Sequence, residues 1–154
     1  MGALIFAAKE ALYALPNINL NAVLIILTTV CFGWKALYSV AVYVLLEGMI
    51  NNANGFMLWW FGYLYVWPLL VAVAMLFRRN DSPLIWAVIA AVFGLFFGPL
   101  MYLEYFAING GWEMFFTMWV NGIPFDLIHC AGNFISTLVL YLPLRRLMAK
   151  LLKK

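Results

Sequence analysis

Charge is what this sequence has least of. Lysine, arginine, aspartate and glutamate together make up 10% of its 154 residues, whereas soluble domains carry about a quarter, so a water-soluble domain is excluded. Imidazole is scarcer still: His129 is the one histidine, which leaves no second ring to complete a metal shell or relay a proton. The two cysteines, Cys31 and Cys130, fall near opposite membrane faces on the topology below, too far apart for a disulfide. Serines and threonines are few and none stands beside an evident base, so no catalytic nucleophile is expected. Glycine motifs that cradle phosphate, and a lysine loop for nucleotides, are absent. No metal and no cofactor is expected. The net charge of +3 comes from basic residues that punctuate apolar runs rather than forming a solvated patch, which excludes nucleic acid as a partner. Residues 1–8 have no basic leader and Lys9 and Glu10 interrupt the apolar run, so no cleavable signal is expected.

What fills the chain instead is hydrophobic surface, at 68% of residues, with 18% aromatic. That balance predicts an all-α integral membrane protein embedded in a lipid bilayer. Apolar runs divided by turn chemistry give six candidate spans in a single transmembrane domain over 1–154: about 2–15, 20–33, 35–50, 56–77, 83–105 and 122–143. The first three are shorter than the ~20 apolar residues that a bilayer core asks for. Pro16-Asn17, Gly33-Trp34-Lys35 and Asn51 to Gly55 separate the early spans, and Arg78 to Pro83 is the clearest loop, with Pro83 suited to a helix's first turn. With both termini cytoplasmic, Lys35, Arg78, Arg79, Arg145, Arg146, Lys150, Lys153 and Lys154 all fall inside, as the positive-inside rule requires, and Lys9 is the exception. The expectation is a six-helix transmembrane bundle whose outer face is acidic and rich in amides, through Asn17, Glu47, Asn51, Glu104 and Asp126.

The stretch from Gly122 to Asn133 gathers most of the chemistry. In a helix Asp126, His129 and Asn133 fall at i, i+3 and i+7, with Cys130 and Thr137 beside them, one polar stripe on an apolar segment. Asp126 either caps that helix, since Pro124 suits a first turn, or meets a ligand, or both. His129 either hydrogen-bonds neighbouring helices or contacts a ligand. Glu47 and Glu104, near the ends of the third and fifth spans, face either a wet interior or the headgroup level. Phe56, Trp59, Trp60, Tyr63 and Trp67 share a broad face that is either an interfacial belt or a wall on which a ligand stacks. Ala3, Ala7, Ala11 and Ala14 share a small-residue face that a helix can approach closely, and Gly94, Gly98 and Pro99 predict a second such face with a kink.

Ala8-Lys9-Glu10-Ala11 leading into Leu15-Pro16-Asn17-Ile18, Phe32-Gly33-Trp34-Lys35, Leu46-Glu47-Gly48, Trp59-Trp60 with Tyr63 to Trp67, Phe93 to Gly98, and Gly122 to Asn133 occur in an order that resembles the substrate-binding S components of energy-coupling-factor (ECF) vitamin transporters. The resemblance covers nearly the whole chain. It implies a six-helix bundle that captures a vitamin-like small molecule from outside and docks on a transmembrane coupling (T) subunit driven by two cytoplasmic ATPase subunits, in a bacterial cell membrane. It also implies that Ala3, Ala7 and Ala11 meet the coupling subunit. Ligand contacts would map onto Asn17, Glu47, Tyr63, Asp126, His129 and Asn133, with Glu104 added from its own placement. On this reading the chain is no enzyme, its energy coming from the partner ATPases. Two other classes stay open, a small membrane scaffold using only the alanine face and a membrane-embedded enzyme using His129 and Asp126.

Overall fold

A computed structural model describes residues 1–15, 18–51, 58–107 and 111–152, and among these every regular element is helical. The helices are α1 (Gly2–Ala11), α2 (Asn21–Phe32), a 3-10 turn (Gly33–Lys35), α3 (Ala36–Ile50), α4 (Leu58–Leu76), α5 (Pro83–Leu95), α6 (Phe97–Tyr105) and α7 (Gly111–Leu152). Three stretches, Asn21–Ile50, Trp59–Leu76 and Gly111–Leu152, are long and apolar enough to cross a membrane, and a fourth arises if α5 and α6 count as one bent span.

The first of these stretches folds back on itself. The Asn21 side-chain amide donates to the Tyr43 hydroxyl at 2.7 Å, whereas 22 residues of continuous helix would hold them about 33 Å apart. Gly33, at φ 62°, makes the reversal, a backbone region open to glycine. Its two legs, α2 and α3, are antiparallel and, at about 18 and 22 Å, short.

Every residue of α2 from Asn21 to Thr29 is buried, so this helix runs through the middle of the molecule with neighbours on all sides. Its two hydroxyls need no partner from elsewhere, since Thr28 and Thr29 donate to the carbonyls of Leu24 and Ile25 at 2.7 and 2.8 Å. Around it the helices alternate in direction. Helix α1 lies parallel to α3, with Gly2 against Ser39 and Val42 and Lys9 against Glu47. Helices α5 and α7 run antiparallel, since Asp81 pairs with Arg145 and Gly98 meets Asp126.

Helix α7 is inside out. Its buried positions are Phe115, Gly122, Asp126, His129, Asn133, Thr137 and Tyr141, largely polar, while Leu127, Ile135 and Val139 stand more than half exposed. Such a helix is stable only where the surroundings are apolar, which marks a membrane protein.

Three expectations about the spans are corrected. Helix α1 stops at Ala11 rather than reaching residue 15, and its 10 residues rise only about 15 Å. The fifth span is two helices meeting at 40°, with Phe96 between them. Pro99 has no N–H to continue the ladder from α5, and it sits in the first turn of α6 where none is required. The helix that holds the sixth span begins at Gly111, not 122, and runs 42 residues to Leu152, beyond the expected 122–143 at both ends. Pro124, expected in the first turn of this helix, lies in its interior, since neighbours in a bundle make an interior proline tolerable.

Lys35, Arg78, Arg79, Arg145, Arg146 and Lys150 collect at one end of the helices. There Arg145 pairs with Asp81 at 2.5 Å and Arg78 Nε donates to the Val30 carbonyl at 3.1 Å. Glu10, Glu47, Glu104 and Glu113 lie towards the other end.

Candidate functional site

Three groups of polar side chains are buried, two towards the acidic end and one running along the middle of α7, and aromatic rings join two of them. The first is the stripe on α7. Asp126, His129, Asn133 and Thr137 are all at most 5% exposed, and glycines on α5 and α6 let α7 come close enough to hide them. A Cβ on Gly94 would stand 2.8 Å from Asn133 Nδ2 and 2.9 Å from the His129 carbonyl, and one on Gly98 would stand 2.5 Å from Asp126 Oδ2. The small pair expected in the fifth span therefore receives α7.

Asp126 does not cap its own helix, which begins fifteen residues earlier. Its Oδ1 accepts from the backbone N–H of Gly98 at 3.0 Å, in the first turn of α6, where the N–H groups have no partner within that helix. Asn133 Nδ2 donates to the Ala90 carbonyl at 3.2 Å, which fixes its amide orientation, since a carbonyl only accepts. Each residue keeps an atom free: Asp126 Oδ2, His129 Nε2, Asn133 Oδ1 and Thr137 Oγ1 are buried without a hydrogen-bond partner. For His129 this replaces the expected bond across the bundle; its ring meets the ring of Phe97 edge-on at 4.8 Å. Asp126 also borders a cavity of about 200 Å³ shared with Leu95, Phe96, Trp119 and Ile123.

Glu47 anchors the second group. It is fully buried, so the headgroup reading fails, and its Oε2 accepts from Lys9 at 2.6 Å and from the Asn51 amide at 3.1 Å. The same Asn51 amide donates to Glu10 at 2.8 Å. Lys9, the exception to the charge pattern, thus has a structural reason for its place at the acidic end. The Tyr43 hydroxyl lies beside Glu47 and accepts from Asn21. Glu47 Oε1 and Asn21 Oδ1 are left without partners.

Between the groups stands an aromatic core. Tyr63 stacks on Tyr43 at 6.2 Å and meets Trp67 and Trp59 edge-on at 5.7 and 5.1 Å. Trp67 packs on Phe97 at 5.3 Å, which in turn meets His129. Trp67 is 1% exposed and its Nε1 has no acceptor. Trp60 is held differently, its Nε1 donating to the Val44 carbonyl at 2.7 Å, which ties α4 to α3.

Of the site residues read from the sequence, Asp126, His129 and Asn133 come together, and Tyr63 and Glu47 stand across the aromatic core from them. Glu104 is apart. It is 6% exposed and lies against Gly62 of α4, and neither of its oxygens has a hydrogen-bond partner of normal geometry. Asn17 and Phe56 lie outside the described residues. Ala3, Ala7 and Ala11 are all exposed, while Gly2 and Ile5 of the same helix are buried, so the alanine face turns away from the bundle. Lys9, Asn21, Tyr43 and Phe97 were missed by the sequence reading. Tyr43 was within reach of it, being four residues from Glu47 on one helix face. Among the described residues no group of three histidine, cysteine, aspartate or glutamate side chains is placed to hold a metal.

No family model, curated protein or solved structure matches the chain.

Proposed function

We propose that the protein is a membrane-embedded capture subunit, in the manner of the S components that its motifs resemble, and that it binds a vitamin-like small molecule between α7 and the aromatic core. One observation carries this reading. Asp126, His129 and Asn133 share one buried face, each with an atom unpartnered, and His129 meets the ring of Phe97, through which the stripe joins Trp67 and Tyr63. Burying such atoms unmet costs about 1–3 kcal/mol each, a cost that a ligand supplying the missing hydrogen bonds removes. The cavity of about 200 Å³ beside Asp126 is lined by Leu95, Phe96, Trp119 and Ile123 on the outer side of α7 and is not that site, so binding between α7 and the aromatic core requires the core to open. Phe97 stands where that opening is easiest, next to the break between α5 and α6.

In this proposal the six hydrophobic units form one bundle in a bacterial cell membrane, α5 and α6 together as one span and the short α1 reaching only part of the way across. The end rich in arginine and lysine, and both termini, face the cytoplasm. The Asp126 end of the polar stripe then lies nearest the outside, where a nutrient arrives. The exposed face of Ala3, Ala7 and Ala11 is offered to a transmembrane coupling subunit, and two ATPase subunits provide the energy.

Native mass spectrometry of gently extracted protein tests the reading. A retained small molecule is expected, together with a coupling subunit and two ATPases under milder extraction. A chain that holds partner proteins but no small molecule would instead make it an assembly factor.

A further inference from the structure

Most of the unpartnered buried atoms can only accept, while His129 Nε2, Thr137 Oγ1 and the Tyr141 hydroxyl can do either. Among the described residues Asn21 Oδ1, Glu47 Oε1, both oxygens of Glu104, Asp126 Oδ2 and Asn133 Oδ1 are buried without a donor, and each can only accept. Against them Trp67 Nε1 is the one such atom that can only donate. A ligand that met these needs would bring N–H groups and positive charge.

The strongest place for that charge is at Glu47. Its carboxylate is fully buried, whereas the Lys9 side chain that neutralises it is 24% exposed, so the cation is the accessible half of the pair. Asn21 Oδ1 is held nearby by the bond between Asn21 and Tyr43. Tyr43, Tyr63 and Trp67 meet one another within 6.2 Å, packed ring on ring, and become a surface of the kind that attracts cations when the core opens.

We infer that the site takes a cationic nitrogen ligand, an ammonium or amidinium with at least two N–H donors, which displaces Lys9 from Glu47. Lys9 is then a tethered occupant of the cation subsite. It satisfies Glu47 while the site is empty and moves aside towards Glu10, already 3.9 Å from its Nζ, when ligand arrives. Its own affinity for Glu47 sets a threshold that neutral and anionic compounds do not cross, since only a cation can replace the charge that a buried carboxylate needs. This inference rests on the capture reading above and adds the charge class.

The test uses three flat probes of similar shape, benzamidine (cationic), benzamide (neutral) and benzoate (anionic), titrated into the full chain in detergent and followed by tryptophan fluorescence and melting temperature. Benzamidine should bind at least tenfold more tightly than benzamide, and benzoate should not saturate. Lys9→Met should tighten benzamidine about tenfold and enlarge the rise in melting temperature it causes, because the internal competitor is gone and Glu47 is left uncompensated. Glu47→Gln should abolish the preference for benzamidine over benzamide. Should that variant fail to fold, Asn21→Asp serves in its place, adding a carboxylate beside Tyr43 and tightening benzamidine further. Equal affinity for benzamidine and benzamide in the wild type, or weaker benzamidine binding in Lys9→Met, overturns the inference. If native mass spectrometry still finds a retained small molecule in that case, the charge class alone falls; if it finds none, the capture reading falls with it.

Discussion

The carboxylate of Asp126 caps a helix to which it does not belong. It sits mid-way along α7, yet its Oδ1 takes the backbone N–H of Gly98 at 3.0 Å, at the N-terminal turn of α6, where the helix dipole favours negative charge. The contact requires glycine, because a Cβ at position 98 would stand 2.5–2.6 Å from both carboxylate oxygens. The break at Phe96 therefore exposes N–H groups that α7 partly satisfies, and the two helices are locked in register.

Gly98→Ala should destabilise the protein by about 1–3 kcal/mol, the usual cost of overpacking. Most of that penalty should vanish in an Asp126→Ala background, where the opposing oxygens are gone. A double-mutant cycle of melting temperatures reads the coupling, and additive effects would show that the clash lies elsewhere.

Removing Lys9 alone leaves Glu47 charged and buried, a situation that costs about 3–5 kcal/mol when one member of a buried pair is lost. The partial exposure of Lys9 places the expected loss at the lower end of that range. Lys9→Met together with Glu47→Gln should be more stable than Lys9→Met by itself. If the double variant melts no higher than the single one, the pair does not fasten α1 to α3.

Orientation is tested by cysteine labelling in a background lacking Cys31 and Cys130. A cysteine at Asn80, in the loop where Arg78 and Arg79 lie, should react with an impermeant reagent only after cells are opened. Labelling of intact cells would invert the proposed topology.

Large side chains on the exposed face of α1 should separate capture from delivery. Ala7→Leu or Ala11→Leu should leave ligand binding by the detergent-solubilised protein unchanged and abolish uptake by whole cells, since close helix approach needs small residues. Loss of both would mean that this face packs within the bundle.

The polar stripe was legible because its spacing is that of one helix, so no knowledge of neighbours was needed to align Asp126, His129 and Asn133. What faces the stripe was not. Gly98 is 28 residues from Asp126 and Lys9 is 38 from Glu47, and such pairings depend on how helices alternate. The kink near Pro99 was readable from missing N–H chemistry, but the cap that stabilises it was not. Pro124 misled for a related reason: proline suits a helix's first turn, whereas packing in a bundle keeps it in the interior of α7. Lys9 looked like an exception to the charge pattern until Glu47 was seen beside it.

The most direct test of the capture site is paired measurement on His129→Ala and Asn133→Ala. Melting temperature without ligand and affinity for the retained small molecule, read by tryptophan fluorescence, are taken on the same preparations. If these side chains bind ligand, affinity should fall by one to two tenfold steps, about 1.5–3 kcal/mol for a lost buried hydrogen bond, with melting little changed. Unchanged affinity in both variants, whatever their melting temperatures, would contradict the central claim and remove α7 from the binding site.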